Sequence, residues 1–203
     1  MWIDVSMPIT KEIQVYKNKP DKLPQFMEVQ GSTFETVLTM NLHTGTHLDF
    51  PKHVLPNGAT SESLLLSECI RPVRVLDFSR LDHRQIGKTD LEKKEIQSHD
   101  FLLFKTRNSF SDEFDFEFVA LDKSGAAYLD SLEIDGVGTD GLGIERAQEG
   151  HPTHHYFLDK GKRIIEGLRL KEVEEGLYNM ICLPLSIPGV EALPARILLE
   201  PLI

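Results

Sequence analysis

The chain has 203 residues and a mass of 23.0 kDa, the size of one domain, and its 40% apolar and 27% charged content is ordinary globular composition that argues against disorder throughout. A formal net charge of −10, from 32 acidic and 22 basic side chains, argues against nucleic acid or an anionic membrane as the main partner, because both need a basic face. Two cysteines, Cys69 and Cys182, lack CxxC spacing and make a thiolate zinc site or a disulfide framework a poor reading, whereas three of the eight histidines fall within eleven residues.

Met1 to Val5 carries an acid at position four and no long apolar core, unlike a secretory leader. No stretch reaches the roughly 20 apolar residues of a bilayer span. The expectation is one soluble, cytoplasmic domain over residues 1–203. Short strand candidates follow in order: Ile3 to Val5, Val37 to Leu42, Val73 to Phe78, Phe101 to Lys105, Gly136 to Thr139 and Met180 to Leu185. Helix candidates lie between them. Thr89 and Glu92 have the spacing of a capping box for a helix to Ile96. Leu121 to Leu132 has helical apolar spacing, with Asp122 placed to serve at its start. His154 to Lys162 reads as a helix ending near Gly161. Asn108 to Glu117 reads as the flexible stretch, and the alternation of Phe114, Phe116 and Phe118 as a strand with one apolar face. The mixture predicts an α/β or α+β fold without settling the sheet topology.

The segment from Asn41 to His53 dominates the sequence. His43, His47, Asp49 and His53 are nitrogen and oxygen donors of the kind that hold Zn²⁺, Mn²⁺ or Fe²⁺. On a regular strand, at about 3.3 Å per residue, His43 and His47 would lie roughly 13 Å apart. Ligands about 2.0–2.2 Å from one ion cannot be that distant. A shared ion therefore requires the chain to bend, and Gly45 and Pro51 supply the places. The alternative is several histidines on a surface loop, but three imidazoles and a carboxylate around one glycine would pack poorly. A second cluster follows at His151, His154 and His155. Glu166 stands beyond it in an apolar run, where a carboxylate is costly to bury without a cation or partner; the bland alternative is an exposed acid at an element's end.

His43-Thr44-Gly45-Thr46-His47-Leu48-Asp49-Phe50-Pro51-Lys52-His53 resembles the HxGTHxDxPxH signature of the metal-dependent "putative cyclase" family, which includes bacterial kynurenine formamidases and isatin hydrolases. Ile3 to Pro8, Gly136 to Asp140, His154 to Leu168, Leu183 to Leu185 and Pro194 to Arg196 resemble further family segments. The resemblance implies a single domain of swivelling β/β/α type, a mixed or barrel-like sheet with flanking helices. It implies His43, His47, Asp49, His154 and Glu166 as metal ligands, with Asp49 bridging two ions. The twelve-residue spacing to Glu166 favours His154 over His155. It implies His53 as the proton donor and acceptor, and Tyr16 as the aromatic that touches substrate. Phe50 and Lys52 occupy positions usually small and apolar in kynurenine formamidases, which places a bulky ring and a charge beside the site and leaves the substrate open.

The expected activity is hydrolysis of an amide, an arylformamide or cyclic amide, or of an ester, by a metal-activated water. Zn is the expected metal, with two ions compatible with the donor set and Mn as the alternative. A small-molecule substrate and a homo-oligomer, dimer or tetramer, complete the expectation. A serine or cysteine nucleophile is the rival enzyme reading, against which stands the lack of a GxSxG elbow. A non-catalytic protein with a structural or degraded metal site is the rival from another class.

Overall fold

The computed structural model describes residues 1–202. Its strands are β1 (Ile3–Asp4), β2 (Gln25–Gln30), β3 (Phe34–Thr39), β4 (His47–Asp49), β5 (Ile70–Asp77), β6 (Gln85–Ile86), β7 (Phe101–Lys105), β8 (Ala120–Leu121), β9 (Gly136–Thr139), β10 (Arg163–Glu166), β11 (Gly176–Pro184) and β12 (Ala192–Pro201). The α-helices are α1 (Lys88–Leu91), α2 (Lys123–Ser131) and α3 (Pro152–Leu158).

Strands β12, β11, β5, β7, β9, β10 and β4 form a closed mixed barrel, because β4 pairs with both β10 and β12. Strand β1 occupies the remaining length of the same β12 edge. The neighbours β5, β7, β9 and β10 are parallel, so each connection must cross over, and α1, α2 and α3 lie in those crossovers. Parallel strands are therefore covered on both faces. In β7, Phe101 and Leu103 fill the barrel while Leu102 and Phe104 pack beneath the helices, and every residue of the strand is buried. Room for the interior side chains comes from β9, where a Cβ on Gly136 would lie 2.5 Å from the Phe101 ring and one on Gly138 2.6 Å from Leu103.

The predicted strands at 101–105 and 136–139 agree with β7 and β9. Helix α2 begins at Asp122 as predicted, the Asp122 carboxylate accepting from the Gly125 amide at 2.8 Å. Three local readings are corrected. Thr89 and Glu92 do not box a helix; α1 starts one residue earlier, and Asp90 reaches back to the Gly87 amide at 3.1 Å. Residues 111–119 form no strand: Phe114 and Phe118 are buried, but Phe116 is exposed, because a folded loop lets the rings stack edge to face with centroids 5.1 Å apart. Residues 154–162 are only partly helical; α3 spans Pro152–Leu158, and the chain turns before Gly161. The paired strands β2 and β3 form a separate hairpin outside the barrel.

Candidate metal centre

Four segments bring the donors together. Gly45 adopts φ +68°, left-handed backbone that folds the chain back after His43 and lets β4 begin at His47. The bend places His43 Nδ1 3.1 Å from His47 Nε2, where an extended chain would have separated them. In β4, Leu48 enters the barrel core while His47 and Asp49 share the opposite face. Pro51 then opens a short 3₁₀ turn, Pro51–His53, that ends on His53. Strand β10 lies antiparallel to β4 with Glu166 directly opposite His47, so the two side chains share a face. The next residue, Gly167, has φ +73°, and a Cβ there would lie 2.5 Å from the Gly45 carbonyl oxygen. The two donor segments thus touch backbone to backbone, and the Thr46 hydroxyl donates to the Gly167 carbonyl at 2.6 Å. Helix α3, in the β9–β10 crossover, brings in His154.

The separations suit ligands of a common ion, since tetrahedral donors at about 2.0–2.1 Å lie about 3.3 Å apart. His47 Nε2 is 3.5 Å from Asp49 Oδ1 and 3.5 Å from Glu166 Oε2, and His154 Nε2 is 3.5 Å from Glu166 Oε1. His43 Nδ1 is 3.1 Å from Asp49 Oδ1. Asp49 belongs to two clusters, one with His43 and His53 and one with His47 and Glu166, each having donor atoms within 4.8 Å of one another. Asp49 is wholly buried, yet neither oxygen accepts a hydrogen bond. A buried carboxylate without hydrogen bonds is expensive unless positive charge faces it. These residues therefore fit one or two divalent ions.

The electrostatics agree. Burial works against charge on His47, but Asp49 and Glu166 beside it raise its pKa to about 9. Burial likewise opposes charge on His154, and its bonds to Glu145 and Glu166 carry the pKa to about 10. Burial pushes Glu166 upward, but His154 and His47 hold it well below the usual carboxylate range. The pocket thus draws positive charge toward its two buried acids. His53 is different. It stands exposed at the mouth, its ring centroid 4.4 Å from that of His43 and 5.4 Å from that of His154. Its partial burial lowers its pKa, against the opposing pull of the Asp49 charge.

The distal nitrogens of the buried histidines are also held. His47 Nδ1 donates to the Gly45 carbonyl at 3.0 Å, and His154 Nδ1 donates to Glu145 Oε1 at 2.5 Å. His43 Nε2 faces Glu191 Oε1 at 3.5 Å. Neither glutamate stood out in the sequence, because neither lies within the histidine motif from His43 to His53. Tyr16 lies in an aromatic cluster, edge-on to Phe114 and Phe118 at 5.4 and 6.3 Å. Burial raises its phenol, and the charges of Glu166 and Glu145 add to that rise. Glu166 is buried, against the reading of an exposed acid. Phe50 and Lys52 are corrected as site neighbours: Phe50 fills the barrel core under Arg163, and Lys52 turns out to the Gly189 carbonyl. Leu48 and Phe50 are two residues apart and share the core face, which the alternation of a strand requires.

Three further histidines make ordinary pairs, His83 with Asp82 and Asp90, His99 with Asp135, and His155 with Asp159, while His151 faces Glu145. Cys69 and Cys182 are buried thiols whose pKa values burial raises, to about 12 for Cys182, which is the opposite of an activated nucleophile.

The family model described as "Putative cyclase" matches residues 3–146. A kynurenine formamidase of Bacillus thuringiensis is 31% identical over 209 residues, covering 99% of this chain and 98% of its own. A solved structure described as a "potential metal-dependent hydrolase with cyclase activity" superposes with a TM-score of 0.94 at 46% identity, covering 99% of each chain. Isatin hydrolase A of Labrenzia aggregata shares the fold, with a TM-score of 0.83 at 21% identity over 98% of this chain and 93% of that one.

Proposed function

Since this chain belongs to the cyclase family, we propose that it is a metal-dependent hydrolase whose substrate is an arylformamide or a related amide, as in a kynurenine formamidase. The observation that carries this reading is Asp49, a buried carboxylate without hydrogen-bond partners between two groups of imidazole and carboxylate donors. His43, His47, Asp49, His154 and Glu166 would hold the metal, zinc first and manganese as the alternative, with Asp49 shared if there are two ions. When bound, the metal supplies Lewis acidity toward the carbonyl oxygen and acidifies water.

The chain's own residues do the rest. His53, at the mouth and with a lowered pKa, is neutral near pH 7 and accepts the proton that water loses on attacking the amide carbon. The same imidazole returns that proton to the amine nitrogen as the carbon–nitrogen bond breaks, leaving formate and an aryl amine. Tyr16, with Phe114 and Phe118 behind it, offers an aromatic surface for the aryl ring.

The test is a panel of N-formylkynurenine, isatin and simple aryl amides and esters, run on metal-loaded protein with and without a chelator. Turnover of a formamide that a chelator abolishes while the fold persists is expected. Loss of the fold on chelation, with no turnover of any substrate, would establish a structural metal instead.

A homo-oligomer belongs to the same reading, and the hairpin of β2 and β3 supports it. Met27, Val29, Phe34, Val37 and Leu38 are exposed there, Phe34 by 72%. A lone two-stranded hairpin is marginal in water unless it packs on something. The same chain also exposes Leu66, Leu183 and Leu185, a second apolar surface that a copy's hairpin can cover. Light scattering is expected to give a dimer or larger species, and Phe34→Asp to shift it toward monomer. A monomeric wild-type protein overturns this part. Among the described residues no helix is long and apolar enough to cross a membrane. A cytoplasmic location, supported by two buried free thiols, completes the proposal.

A further inference from the structure

Glu145 lies between β9 and α3, outside the donor set, and its carboxylate is buried with donors from Gln148, His151, Thr153 and His154 around it. Oε1 accepts from His154 Nδ1 at 2.5 Å and faces His151 Nδ1 at 3.3 Å. Oε2 accepts from the Thr153 amide and from Gln148 Nε2, each at 3.1 Å. Glu145, His151 and His154 could be taken for another ion site. The 2.5 Å separation argues otherwise, since two ligands of one ion stand about 3.3 Å apart. It is a hydrogen bond, and Nδ1 must be its donor because an ionised carboxylate only accepts.

We propose that Glu145 is a positioning residue that holds the proton of His154 on Nδ1 and so presents Nε2, with its lone pair, to the metal beside Glu166. The inference rests on the metal-hydrolase reading. It follows from an asymmetry between the two oxygens of Glu145. Thr153 N–H is a fixed donor, and Gln148 Nε2 is tied to the Leu121 carbonyl at 3.2 Å and to the Thr153 hydroxyl at 2.9 Å. Gln148 cannot turn over freely either, because its oxygen accepts from the Lys123 amide at 2.8 Å. Donors with fixed roles therefore hold Oε2, whereas Oε1 meets the His154 ring at 2.5 Å, the His151 ring at 3.3 Å and the His154 amide only at 3.5 Å, so the partners that can change role are the ring nitrogens on the His154 side. In Glu145→Gln the new amide must place its oxygen toward Thr153 and Gln148. Its NH₂ then faces His154 Nδ1, which becomes an acceptor. The ring proton moves to Nε2, and the lone pair that should meet the ion is gone. The exchange is nearly isosteric and leaves the first turn of α3 with its acceptor.

The experiment is zinc titration against a competing chelator, on wild type, Glu145→Gln and Gln148→Ala, with unfolding curves for each. Glu145→Gln is expected to bind zinc about 10- to 100-fold more weakly, the usual effect of losing a partner behind a ligating histidine. Gln148→Ala, which loosens the helix side without touching His154, is expected to melt earlier but to bind zinc as wild type does. Equal loss of affinity in both variants, or none in Glu145→Gln, overturns the inference. Should Glu145→Gln fail to fold, the wild type decides alone: long-range proton–nitrogen spectra of the zinc-loaded protein should show His154 protonated on Nδ1, and protonation on Nε2 overturns it. A wild type that takes up no zinc overturns the metal reading itself, a result distinct from equal binding by the variants.

Discussion

Replacing Asp49 by alanine is expected to leave the protein without stoichiometric metal and without measurable turnover. Asp49 is the one donor common to both clusters, and it lies at the centre of the group rather than at its edge. On the proposed reading its loss removes the ligand shared by both halves, and with it one of the two buried charges that would draw a cation in. The chemistry the ion supplies is worth several kcal/mol, which is a rate loss of at least about a thousandfold. Elemental analysis after gel filtration, with turnover on the same sample, measures both effects. Full metal content in Asp49→Ala would contradict a shared ligand and move the centre elsewhere.

His53→Ala is expected to keep its metal and lose about 10²- to 10⁴-fold in kcat, the usual contribution of a positioned general acid–base. His53 is exposed, so the truncation opens no cavity and the fold should melt as wild type does. The outcome also decides between two roles. A nitrogen of His53 lies within 4.8 Å of donor atoms of His43 and Asp49, close enough for a ligand. Loss of metal together with turnover would make His53 a ligand, and unchanged turnover would remove it from the mechanism.

Much of the centre is legible in the amino-acid sequence, because its first donors are close together along the chain. Strand rise and metal–ligand distance together demand a bend between His43 and His47, and Gly45 at φ +68° makes it. Asp122 is another local success: a cap is satisfied within its own turn. The α1 boundary failed because two overlapping acids, Asp90 and Glu92, offered nearly the same register, and contact with His83 favours Asp90. The phenylalanines at 114, 116 and 118 failed because alternation predicts a strand only where a neighbouring strand exists to pair with it, and none of the barrel strands reaches them.

By itself the sequence determined the donor chemistry, nitrogen and oxygen without thiolate, the turn that gathers His43, His47 and Asp49, and the α/β class. Those properties depend on residue type and on backbone geometry over a few positions. The tertiary structure decided how distant carboxylates reach the imidazoles, Glu166 having been implied beforehand by the family resemblance and Glu145 not at all. Glu166 meets His47 only because β10 pairs with β4, and Glu145 meets His154 only because α3 docks in the crossover ahead of it. It also decided that Phe50 belongs to the core and that the β2–β3 hairpin stands apart with its apolar side chains uncovered. Strand pairing and barrel closure are long-range choices, made by the burial of many side chains at once. A local pattern of alternating or helical spacing carries no record of the partner.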